Sequence, residues 1–187
     1  MSMDRAYFDE IYRSDPDPWK FESSWYEERK YALTVAALPE RRYRSAFEPG
    51  CSVGVLSALL ARRCDRLLAT DIVAGVLDRA RRRLSDSDGA RVEMRAIPEA
   101  WPSGPFDLVV LSEIAYYFDG DTLEEIVAQL VASTTPGATV VGVHWRGATN
   151  YPLTGDQANR IIDAHESLQG EVHHLEPEFV LDVWRRA

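Results

Sequence analysis

The sequence predicts an α/β fold, with one domain built on a mostly parallel seven-stranded sheet. Three observations predict it. From Arg44 to Trp145, short apolar runs alternate with helical patterns, and helices between strands build right-handed crossovers and a parallel sheet. The last two extended runs have no helix between them, which predicts a hairpin and an antiparallel C-terminal strand. A tight glycine turn, "EPGCSVG", joins the first strand to the next helix. At 187 residues the chain has the size of a single domain. Residues 1–40 read as a helical cap or lid, and 41–187 as the sheet-bearing core.

Residues 4–13 have helical character. "DPDPW", Asp15 to Trp19, ends it, because each proline removes a donor and restricts the residue before it. Ser23 or Ser24 is placed to cap the helix "WYEERKYALTVAAL", whose inward stripe reads as Tyr26, Tyr31, Leu33 and Val35. Pro39 closes it. "RSAFE" is a strand and "GVLSALLARRC" a helix; "RLLATDI" is a strand and "GVLDRARRRL" an amphipathic helix. "RVEMRAI" is a short strand and "FDLVVLSEI" a buried one. "DTLEEIVAQLVAS" is a helix opened by Asp121, and "ATVVGVHW" a buried strand after the Pro136-Gly137 turn. A helix from about Gly155 precedes the final pair, "GEVHHLE" and "EFVLDVWRR".

The net charge of −9 argues against a general role on nucleic acid, where phosphate binding needs a positive surface. No apolar run approaches the roughly 18–20 residues of a membrane span, and "MSMDRAYFDE" lacks the apolar core of a secretion signal. Cys51 and Cys64 give neither a disulfide framework nor a zinc spacing, so no metal is implied. The expected setting is reduced and cytoplasmic, with a small-molecule acceptor, no nucleic-acid or membrane partner, and a monomer or weak homodimer.

In open α/β sheets ligands bind beyond the C-terminal strand ends, at the topological switch point. Gly50 stands there, where glycine permits positive φ and close backbone approach. Glu48 lies two residues before it, and Asp71 ends the next strand. A carboxylate at Asp71 suits the vicinal hydroxyls of a ribose. Glu48 beside a helix N-terminus is unsuited to a pyrophosphate and better suited to a ligand with a positive end. S-adenosylmethionine has a ribose, a sulfonium and an ammonium, and no phosphate. The same residues also fit a solvated turn in an α/β fold.

At these residues the chain resembles the class I S-adenosylmethionine-dependent methyltransferases, which implies their Rossmann-like fold. "FEPGCSVGVLSALLA" is similar to their first motif, "LLATDI" to their second, "FDLVVLSEIAYYF" to the fourth, and "PGATVVGVHWR" to the strand after it. "FDEIYRSDPDPWKFESSWYEERKY", "EPGCSVGVL", "EAWPSGPFDLVVLSEIAYYF", "VHWRGATNYPLTGDQ" and "LDVWRR" resemble the nodulation protein S family more closely still. Those enzymes N-methylate the free amine of a de-N-acetylated chitooligosaccharide. The resemblance implies S-adenosyl-L-methionine as cofactor, with Glu48, Gly50, Cys51, Gly54, Asp71, Ile72, Ile97 and Ser112 around it. Ala96 departs from the pattern: the wider family usually carries an acidic residue there, on the adenine amine.

Methyl transfer requires donor and nucleophile held close, aligned and dry. An amine must also lose a proton before it attacks, which an aspartate, glutamate or histidine can take. Glu113, Tyr117 and His144, near strand ends, are the catalytic candidates. Glu113 reads equally as a helix cap, and His144 as a buried strand-end histidine bonded to backbone. Of the adjacent Tyr116 and Tyr117, at least one is expected to line the cleft. Trp19, Trp25, Tyr26 and Trp145 offer faces for a sugar ring or a sulfonium. Arg29 is a candidate for the methionine carboxylate, or a solvated charge. "HH" at 173–174 reads as strand surface. A nicotinamide dehydrogenase is disfavoured, because "GCSVG" has Ser52 where G-x-G-x-x-G needs glycine. The readings left open are methylation of another small molecule and a cofactor-binding protein without catalysis.

Overall fold

The computed structural model describes residues 2–187. Among them, seven strands form one sheet: β1 (Ala46–Pro49), β2 (Leu67–Asp71), β3 (Ala90–Met94), β4 (Phe106–Ser112), β5 (Thr134–Trp145), β6 (Leu168–Leu175) and β7 (Phe179–Arg186). The helices are α1 (Arg5–Ser14), α2 (Trp25–Ala36), α3 (Val55–Ala61), α4 (Ala74–Arg83), α5 (Gly120–Ser133) and α6 (Gly155–Asp163), with a 3₁₀ turn at Ala115–Tyr117. The strand order is β3-β2-β1-β4-β5-β7-β6. The first five strands run parallel, and β7 is antiparallel to both its neighbours. The order reverses between β1 and β4, and that reversal opens the crevice.

Helices cover both faces, as a parallel sheet requires. The pleat of period two assigns the side chains. Val109 and Leu111 of β4, with Val140 and Trp184, pack on Leu123, Ile126, Leu130 and Ile162 of α5 and α6. Leu108 and Val110, with Val141, Val143 and Val183, pack on Tyr31, Leu56 and Leu60 of α2 and α3. Ala69 meets Leu77 and Ala80 of α4.

The expected elements are present, but β5 begins at Thr134. The Pro136-Gly137 pair expected to precede it therefore lies within the strand, where its pairing with β4 shifts register. Three helix starts also differ from expectation. Asp119 caps α5, accepting from Thr122 N–H, so the helix opens ahead of Asp121. Ser24 stands at the N-cap of α2 without a side-chain bond. Third, Thr154 and Gln157 form a reciprocal capping box on α6, which the pattern "TGDQ" encodes but the helical reading alone passes over.

The buried stripe of α2 also differs from expectation. It is Glu27, Lys30, Tyr31 and Thr34, while Tyr26, Leu33 and Val35 are only partly buried. The i, i+3, i+4, i+7 spacing is that of any buried helix face, but three of its four residues are polar. A search for apolar periodicity cannot find it.

Candidate active site

A cavity of about 860 Å³ lies over the carboxyl ends of β1, β2 and β4 and under α1, α2 and the segment between them. One of its walls begins at the turn after β1. Gly50 has φ +72°, and a β-carbon there would stand 2.8 Å from Ile114 Cδ1, across the switch point. Ser52, also at positive φ, gives its N–H to Asp71 Oδ2 at 2.9 Å; Asp71 Oδ1 takes Val73 N–H at 2.9 Å. Asp71 therefore braces the turn it lines. Burial raises its pKa, opposed by these N–H donors.

Glu48 is buried at the same wall, and its Oε2 has no hydrogen-bond partner. Burial, opposed by the nearby Ser57 hydroxyl and reinforced by the Asp71 carboxylate, pushes its pKa up to about 8. Leaving a buried polar atom unsatisfied costs about 1–3 kcal/mol. An orphaned carboxylate oxygen at a glycine turn suits a ligand that brings a cationic donor.

Cys51, Ile72, Ala96, Ile97, Ser112 and Trp19 also stand on the cavity wall. Glu99, exposed three residues after Ala96, is on it too, and sequence reasoning missed it. Tyr12 reaches from α1 to Ser52, hydroxyl to hydroxyl at 2.5 Å, and Phe8 packs edge-on against Tyr117 with centroids 4.8 Å apart. Glu22, before α2, is gripped by Arg79 and Arg83.

At the other end of the cavity stands a buried ionic cluster. Lys30, 1% exposed, lies between Glu27 at 3.0 Å and Glu113 at 2.5 Å. Glu113 also accepts the Trp145 N–H at 2.9 Å and the Tyr116 hydroxyl. Burial is the largest influence on Glu113 and opposes its charge, but the Lys30 ammonium, His144 and the hydrogen bonds from Lys30 and Tyr116 together outweigh it and hold the carboxyl below its usual value. Burial likewise opposes the Lys30 charge, and the two carboxylates more than restore it. Glu113 has φ +54°, a strained conformation of the kind that clusters at functional sites. Tyr116 and Tyr117 both line the cavity, meeting Tyr151 by stacking and edge contact respectively.

Four expected site residues lie elsewhere. His144 is fully buried and off the cavity wall. The β5 pleat turns it with Val140 and Gly142 toward α6, where Nδ1 meets Asn159 Oδ1 at 2.8 Å and Nε2 accepts Ala115 N–H at 3.1 Å. Burial lowers its pKa, and both ring nitrogens are occupied, so it is not placed to take a proton from a ligand. Arg29 points outward and forms a two-pronged pair with Glu176 at 2.7 and 2.8 Å. It does not reach the cavity, and its neighbour Lys30 does. Gly54 lies behind the wall, at φ +79°, because a β-carbon would press 3.0 Å from Ala80 Cα of α4. Trp25, grouped with the cleft aromatics, is 70% exposed and off the wall, whereas Trp19, Tyr26 and Trp145 line it.

A comparison with known proteins decides the family. Residues 10–146, more than half the chain, match the nodulation protein S (NodS) family. The chain belongs to the nodulation protein S family. It is 30% identical over 128 residues to nodulation protein S of Rhizobium tropici, covering 67% of this chain and 53% of that one. With nodulation protein S of Bradyrhizobium diazoefficiens it shares 28% over 127 residues, covering 67% and 61%. The chain thus spans little more than half the length of the curated relatives it matches. A solved structure from Pseudomonas syringae, whose own assignment as a methyltransferase is provisional, is 42% identical with a TM-score of 0.78, covering 87% of this chain and all of that one. The N-methyltransferase NodS of Bradyrhizobium japonicum, solved with S-adenosyl-L-homocysteine, superposes with a TM-score of 0.83 over 98% of this chain and 99% of its own, at 21% identity. The NodS-family fold is therefore the Rossmann-like methyltransferase fold, and its seven-stranded mixed sheet is the one described above.

Proposed function

We propose that the chain is an S-adenosylmethionine-dependent methyltransferase acting on a small-molecule amine, with the amino group of a glucosamine-type, chitooligosaccharide-like sugar as the acceptor class. The orphaned, buried carboxylate of Glu48 at the Gly50 turn carries the donor half of this reading. Carboxylates at both strand ends suit a cationic nucleoside and disfavour a phosphorylated one. When bound, S-adenosylmethionine supplies an electrophilic methyl group on a sulfonium. Glu48 receives the donor's ammonium, Asp71 its ribose hydroxyls, and Ile72, Ala96 and Ile97 wall its base. Trp19, Tyr12 and Phe8 exclude water from above, making residues 1–40 a lid. Tyr117, Tyr116 and Trp145 shape the acceptor end, and the buried carboxylates there favour a cation over an anion. Family membership and the NodS fold likeness support the same reading.

The test is methyl transfer to an acceptor panel of glucosamine oligomers, alkyl amines, phenols and carboxylic acids. Transfer to the amino sugars is expected. Activity on phenols or acids alone would leave the methyltransferase reading and remove the amine.

Two further results are expected. Asp71→Ala weakens S-adenosylhomocysteine binding by roughly 1.5–3 kcal/mol, the range for a hydrogen bond to a charged group. Calorimetry on the folded variant measures it, and an unchanged Kd takes Asp71 out of the ribose site. The second concerns pH. Glu48 has a folded pKa of about 8, above that of an ordinary carboxylate. It therefore holds a proton when free and must release one to meet an ammonium. Binding should strengthen as pH rises toward 8. Over the same window the ligand-free fold should lose stability, since a raised carboxyl pKa stabilises at low pH and is lost as pH rises through it. Glu48→Gln should flatten both trends; if it flattens neither, Glu48 is not the linked group.

A further inference from the structure

We propose that Glu27 takes the proton from the incoming amine, while Lys30 keeps Glu113 as a fixed anion beside it. This rests on the amine reading above and names the residue that serves it.

Glu27 lies on the cavity wall at 6% exposure. Lys30 Nζ is 3.0 Å from each of its oxygens and donates to Oε1. Oε2 is buried and accepts no hydrogen bond. Glu113 is engaged at both oxygens: Oε1 takes Lys30, and Oε2 takes both the Tyr116 hydroxyl and the Trp145 N–H. Spare acceptor capacity in this pair is concentrated on Glu27. Two carboxylates against one ammonium leave the cluster one negative charge in excess, which a second ammonium, that of the acceptor, would balance. The Tyr26 hydroxyl, buried and without a partner on the same wall, offers that ammonium another contact.

The environments of the two carboxylates diverge. Burial raises the Glu27 pKa, with a push from Glu113 and against the pull of Lys30 and of the neighbouring Tyr31 hydroxyl. Glu113 is held low. Tyr31, the remaining titratable group facing Glu27, is held protonated first by burial and then by Glu27 and Glu113. Paired titratable groups pushed apart in this way mark out acid–base roles. The more basic Glu27 is the competent acceptor, and Glu113 stays ionised.

The step balances. A proton passes from the ammonium nitrogen to Glu27 Oε2, and the freed lone pair forms the N–CH3 bond. The S–CH3 bond breaks and its electron pair stays on sulfur. The product leaves as a methylammonium, and Glu27 returns its proton to solvent.

The experiment uses the full chain with a β-1,4-linked glucosamine trimer and, in parallel, an alkoxyamine that is already neutral at neutral pH. Glu27→Gln should bind S-adenosylhomocysteine as the parent does. Its kcat on the trimer should fall by about 10²-fold or more, the lower range for a lost general base. The loss should be much smaller on the alkoxyamine. In the parent, kcat on the trimer should level off at a pH below the amine's own pKa, a measurement that stands even if the variant does not fold. A parent kcat that climbs until the free amine titrates, or a Glu27→Gln kcat and pH profile matching the parent's, overturns the assignment of Glu27 alone. A parent that binds S-adenosylhomocysteine yet methylates no amine overturns the amine reading, and Glu27 with it.

Discussion

Lys30→Met should destabilise the fold by about 3–5 kcal/mol, the cost of removing one partner from a buried ionic cluster. Lys30 is 1% exposed between Glu27 and Glu113, and methionine of similar length leaves two buried carboxylates without their cation. The effect has a signed pH dependence. In the parent, Glu113 has a lowered folded pKa, so its contribution is present above the unfolded carboxylate pKa and lost as pH falls through the folded one. Without Lys30 both carboxyls bind protons more readily in the folded state than in the unfolded chain. The deficit of the variant should therefore be largest near pH 8 and shrink toward pH 5, as urea denaturation at each pH would read. Arg29→Met, one residue away, is the internal contrast. Its pair with Glu176 is 43% exposed on the arginine side, and exposed pairs are worth roughly 0.2–1 kcal/mol. Equal losses for the two variants would refute the buried-cluster account.

Gly50→Val should abolish measurable S-adenosylhomocysteine binding and cost about 1–3 kcal/mol of stability, the range for a residue forced into a sparsely populated backbone region. Two separate features act. The φ of +72° is hostile to a β-branched residue, and the first added carbon meets Ile114 Cδ1 at 2.8 Å. Either the turn moves or Ile114 is driven into the crevice; both spoil the donor wall. Calorimetry with S-adenosylhomocysteine and a thermal melt separate the two losses. Donor affinity equal to the parent's in a folded Gly50→Val would move the donor away from this turn. Gly137→Ala is a useful control: it too sits at positive φ, +79°, but a β-carbon there would meet open space, near the start of β5 and away from the strand ends that line the crevice.

The glycine-turn side of the crevice was legible because it is encoded locally. A strand end, a glycine and the acidic end of the next strand must come together in any sheet of this topology. Glu48, Gly50 and Asp71 accordingly lie on one wall. The opposite end, around Lys30 and Glu113, was not legible, for reasons particular to each residue. Arg29 and Lys30 are neighbours about 100° apart on a helix, so the choice between them depends on which face α2 turns inward. That face is polar, and no apolar stripe announces it. His144 and Trp145 are adjacent on a strand and point to opposite faces; "TVVGVHW" contains that alternation but does not say which face meets α6. Gly54 shares the turn with Gly50, but only the packing of α3 on α4 shows that it serves the helices.

By itself the sequence determined the α/β class, the order and approximate ends of the strands and helices, the hairpin at the C-terminus, and the glycine turn with its two acidic partners. These follow from short-range periodicity, turn chemistry and crossover handedness, each written within a few neighbouring residues. The tertiary structure alone decided that Lys30 is the buried cation, that Glu113 is saturated while one Glu27 oxygen accepts no hydrogen bond, and that His144 is sealed against Asn159. The physical reason is burial. The charge state and hydrogen-bond capacity of a side chain depend on what surrounds it in space. For Glu113 those surroundings include Lys30, which lies 83 residues away along the chain and 2.5 Å away in the fold.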